Sequence, residues 1–93
     1  MDEQQMFRGR DAIAWARRGA AVDREEGARL MRELAGDLPP GHARDDLQAA
    51  ASQTEAYSRL VSDRGHGQHE ADEIDQAYDD LQEGLSALSH HFA

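Results

Sequence analysis

His66 and His69, with Glu70 and Glu73 close behind, are the residues whose types could hold a divalent cation, since imidazole nitrogens and carboxylate oxygens are its ordinary ligands. Their spacing argues against it. Helical ligand pairs stand four apart or follow a Glu-x-x-His pattern, and His66 falls between Gly65 and Gly67, in a turn rather than on a helix face. We expect no metal and no cofactor, and a His/carboxylate metal protein ranks third among the readings. His90 and His91 are neighbours that point in different directions on a helix, so they make no site together.

Carboxylates are the second group with chemical potential. Asp72, Glu73, Asp79, Asp80 and Glu83 fall opposite an apolar stripe, on a face turned to water, and no spacing forces two of them into one pocket for acid-base work. There is no Gly-rich phosphate loop and no nucleophile motif. The chain has no cysteine, which excludes a thiolate metal site, a cysteine nucleophile and a disulfide scaffold, and fits a cytoplasmic setting. We therefore expect a protein that is not an enzyme.

What remains is recognition by charge and by aromatic contact. Asp72 and Asp79 lie about 10 Å apart along a helix axis, as do Glu73 and Asp80, so the acids form a ridge. No Lys or Arg occurs from Gly65 to Ala93 to neutralise it. Such a ridge steers association with a basic surface and makes it salt sensitive. Trp15, the only tryptophan, sits two residues beyond Ile13, about 200° around a helix and away from the apolar seam, beside Arg17 and Arg18. That position suits contact with another chain, and Phe7, which flanks Met6, follows the same logic. The candidate partner-binding set is Phe7, Trp15, Asp72, Glu73, Asp79, Asp80 and Glu83.

The elements that must position these residues are helices. From His69 to Phe92 the apolar residues Ala71, Ile74, Tyr78, Leu81, Leu85, Leu88 and Phe92 recur at alternating three and four spacing, which places all of them on one stripe. A second helix is predicted over 43–64, where Leu47, Ala50, Thr54, Tyr57 and Val61 repeat the pattern. Leu38-Pro39-Pro40-Gly41 ends everything before it, because proline removes a donor and restricts the preceding residue. The first helical region covers 3–37. Unbroken, it would be about 52 Å long and would overhang its neighbours. Either it breaks near 19–23, with Asp23 capping a new helix and Glu26 completing a capping box, or a second copy or another protein buries the overhang. Short connections make consecutive helices antiparallel neighbours.

Ninety-three residues build one domain. Only five are aromatic and Ala supplies much of the apolar count, so the core is expected to be thin and to call for a second copy or a partner. The net charge of -9 is uneven: seven acids and seven arginines cancel up to Gly36, and the whole deficit lies beyond. All ten cations are arginine, and Arg10, Arg17 and Arg24, one heptad apart, suit a clamp on an acidic helix. The chain lacks the uncompensated basic face that direct nucleic-acid binding requires and the long apolar run that a membrane span requires.

The sequence thus predicts an all-α, small antiparallel helical bundle of three or four helices that self-associates. Its predicted role is that of a non-enzymatic protein-protein interaction module, an adaptor, chaperone subunit or inhibitor, whose partner is another protein with a basic surface. An acidic mimic that occupies a nucleic-acid-binding surface is the second reading.

Overall fold

Helix capping sets where the first element starts. In a computed structural model describing residues 1–63 and 71–92, α1 spans Glu3–Ala16, and the Asp2 carboxylate accepts from the Gln5 backbone N–H at 2.8 Å. Gln5 Oε1 accepts in return from the Asp2 N–H at 3.2 Å. Two of the donors that a helix start leaves open are satisfied by this exchange. The capping box is therefore at Asp2 and Gln5, whereas the sequence suggested one at Asp23 and Glu26.

The first region is two helices, interrupted for four residues at positions 17–20. α2 runs Ala21–Asp37, and its N-cap is Ala20, with no side-chain hydrogen bond. Asp23 lies instead in the first turn, where the helix dipole favours a carboxylate. The turn is held from another direction. Arg24 is only 7% exposed; its Nη1 donates to Gly19 O at 2.6 Å and its Nε to Ser58 Oγ at 3.2 Å.

Leu38 closes α2 in extended conformation directly before Pro39, and α3 follows over His42–Asp63. α4 spans Ala71–Ser89, so both helices of the hairpin come within a few residues of their predicted bounds. Its turn, with His66, His69 and Glu70, lies outside the described residues.

Cross-contacts fix the topology as up-down-up-down. At one end Arg8 of α1 pairs with Asp37 of α2 at 2.7 Å, and His91, just beyond α4, with Asp46 of α3 at 2.7 Å. Along the sides, Arg32 of α2 pairs with Glu55 of α3, and Arg29 pairs with Glu26 and Glu33 on α2 itself. The Glu26 hydrogen bond foremost, then the charges of Glu26 and Glu33, hold the Arg29 guanidinium above its ordinary range. Apart from the part-buried His91–Asp46 contact, these pairs lie at the surface and contribute little to stability.

Stability comes from the seams. Ala12, Ile13 and Ala16 of α1, Met31, Leu34 and Ala35 of α2, Leu47, Ala50 and Ala51 of α3, and Leu81, Leu85 and Leu88 of α4 form one buried cluster. Small residues in the cluster let the helices approach closely, so a core with few aromatics leaves little volume to fill. At Gly27 a Cβ would stand 2.6 Å from Ala16 N and 2.9 Å from Ala12 O. The polar Thr54 within the cluster is satisfied by donating from Oγ1 to Ala50 O at 2.7 Å.

The molecule measures 45 × 21 × 20 Å. α1 and α4 touch far less than α1 and α2, α2 and α3, or α3 and α4 do. The α1–α4 side is closed near one end by Phe92, whose ring lies where a side chain at Gly9 would otherwise stand.

Candidate functional site

The α4 stripe behaves as its spacing requires over most of its length. Ile74, Leu81, Leu85, Leu88 and Phe92 are buried. Ala71 is exposed and Tyr78 is 47% exposed, contrary to their expected place in the core. Tyr78 instead lies against Tyr57 of α3, ring centroids 5.6 Å apart.

Fixing one face of α4 inward fixes the other outward. Asp72, Asp75, Asp79 and Glu83 are all exposed, and no cation among the described residues pairs with any of them. They recur every three or four residues, about 5 Å of axial rise per step. Asp75 belongs to this row although sequence reasoning left it out of the candidate set; the same helical period that selects Asp72 and Asp79 would have found it. Asp80 is half-buried on the flank and accepts from Gln76 Nε2 at 3.0 Å, so it is a weaker member of the row than its type suggests. Glu73 is exposed on that flank as well.

Phe7 and Trp15 belong to a different surface. Both are on α1, two turns apart and about 80° from each other around the axis. Phe7 is 65% exposed. Trp15 is half-buried outside the main cluster, with the Arg18 guanidinium carbon 4.0 Å above its ring, a cation–π stack. The candidate set therefore divides into an acidic face on α4 and two separate aromatic positions on α1.

The three arginines one heptad apart also divide. Arg10 donates from Nε to Phe92 O at 2.6 Å, at the end of the bundle where α4 closes on α1. Beside it, a groove of about 380 Å³ between α1 and the end of α4 is lined by Arg10, Ile13, Ala14, Arg17 and Phe92 among others. Arg24 stands on α2 and turns inward. Helix breakage between Arg17 and Arg24 is what separates them, since a heptad holds a common face only along one helix.

No group of three or more His, Asp or Glu among the described residues is placed to hold a metal ion. The pair His66 and His69 falls outside those residues. No described helix is long and apolar enough to cross a membrane.

The fold and this surface define a four-helix bundle with a one-sided acidic helix. No family model, curated protein or solved structure matches the chain.

Proposed function

We propose that this protein is a non-enzymatic interaction module, acting as an adaptor, chaperone subunit or inhibitor, whose α4 face docks a basic surface on another protein. One observation carries the reading. Asp72, Asp75, Asp79 and Glu83 form a row of carboxylates that no cation among the described residues pairs, whereas α2 and α3 pair several of theirs. Like charges at these spacings weaken an isolated helix by about 0.2–0.5 kcal/mol per pair. A basic partner would relieve that repulsion on binding, and its approach would be accelerated by the long-range attraction.

The row also supports a second reading, in which the partner surface is one that ordinarily takes nucleic acid. Regularly spaced carboxylates then stand in for phosphates, whose neutralisation supplies most of such affinity. Both readings share one test.

A variant carrying Asp72→Asn, Asp75→Asn, Asp79→Asn and Glu83→Gln is expected to fold with a melting temperature no lower than the parent's. In capture from host extract, the parent is expected to retain a basic protein at low salt and release it at high salt, and the variant to retain none. Equal capture by parent and variant would show that the row serves only solubility.

A further inference from the structure

Arg24 carries a charge that no carboxylate among the described residues neutralises. It is more than nine-tenths buried, and its contacts are a carbonyl, a hydroxyl and the face of Tyr57, whose centroid lies 5.1 Å from the guanidinium carbon. No carboxylate is among them, although the chain has nineteen Asp and Glu. A buried cation is ordinarily paired, because removing its water costs several kcal/mol that neutral dipoles only partly offset.

Beside it is a pocket of about 180 Å³ at the end of the bundle where α1 turns into α2. Its lining includes Arg17, Arg18, Arg24, Tyr57, Tyr78 and Gln82 and, among the described residues, no Asp or Glu. The donors there are largely unused. The Arg17 guanidinium, the Gln82 side-chain amide and both tyrosine hydroxyls have no hydrogen-bond partner among the described residues, and Arg24 Nη2 has none either. Arg18 is engaged through its face on Trp15, which leaves the edge of the guanidinium plane to donate. Guanidiniums and phenols converging without an acid are suited to a compact oxyanion, and Arg matches phosphoryl oxygens in bidentate fashion.

We propose that this pocket binds a phosphoryl group, with Arg24 as the desolvated charge at its base and Arg17 and Arg18 closing over the oxygens. The site is independent of the acidic face of α4. Its volume suits free phosphate or the phosphoryl end of a larger molecule whose remainder stays outside, where Tyr78 is exposed.

Melting curves and amide NMR titrations with inorganic phosphate and with phenyl phosphate, at constant ionic strength against chloride, test this. A saturable rise in melting temperature is expected, with shifts centred on residues 16–24 and around Tyr57 and Tyr78. Tighter binding of phenyl phosphate would identify a carried phosphoryl group, and equal or weaker binding the free ion. Arg17→Ala, at an exposed position, is expected to keep the fold and weaken binding about tenfold. Arg24→Met is expected to abolish binding. Absence of a saturable effect with both anions, or binding unchanged in Arg17→Ala, would overturn the proposal.

Discussion

Phe92→Ala is expected to lower the unfolding free energy by about 3–5 kcal/mol, the usual range for truncating a buried aromatic. The whole stability of a domain this size is roughly 5–15 kcal/mol, so the variant would be near the edge of folding. Phe92 is three residues past the last residue of α4, yet it is only 1% exposed. Its ring covers Gly9, and a Cβ at Gly9 would stand 2.1–2.5 Å from the ring atoms. Its carbonyl oxygen accepts from Arg10 Nε, and its neighbour His91 pairs with Asp46 of α3. One residue thus joins the segment after α4 to α1, where the two helices themselves touch little. Urea denaturation should show the lowered midpoint, and amide exchange in α1 should accelerate more than in α2. A loss below about 1 kcal/mol would mean the ring is not what closes α4 onto α1.

Gly27→Ala is expected to destabilise by about 2 kcal/mol. The sign is the informative part. In an open helical position the same change gains up to about 1 kcal/mol, because alanine restricts the unfolded chain and favours the helix. At Gly27 the added carbon would meet the Ala16 nitrogen and α-carbon and the Ala12 oxygen, all at 2.6–2.9 Å. These are backbone atoms, and no rotamer change moves them. α1 must shift away from α2, which loosens Ala12, Ala16 and Ala28 together; overpacking of this kind costs about 1–3 kcal/mol. Gly36 on the same helix is the control, since a Cβ there meets nothing within 4 Å. Its alanine variant should melt at or above the parent. Two glycines of one helix would then respond with opposite sign, and matching responses would refute the close crossing.

These two positions show what could and could not be read from the chain. The helices and their order follow from periodicity and from Pro39-Pro40, because a helix buries a stripe wherever its neighbours are. Depth of burial depends on how neighbours cross and how far they extend, and neither is local. Tyr78 shares the stripe of Leu81 and Leu85 and yet stands 47% exposed. Gly27 shares a heptad position with Ile13 and Leu34, which marks it as inward facing but not as the contact point of two backbones. Three members of the carboxylate row, Asp72, Asp79 and Glu83, were legible because they share one helix, although Asp75 was missed. The pocket around Arg24 was not legible, since its six named residues come from the turn after α1 and from α2, α3 and α4.

One claim underlies the rest: a single chain completes its own core, so the carboxylate row and the Arg24 pocket are held ready before any partner arrives. Far-UV circular dichroism on dilution from about 100 µM to about 1 µM, with a melt at each concentration, tests it most directly. The expected result is a constant helical signal per residue and a single cooperative transition at every concentration. Helicity that drains away on dilution would contradict it and would return the seams to a second copy of the chain.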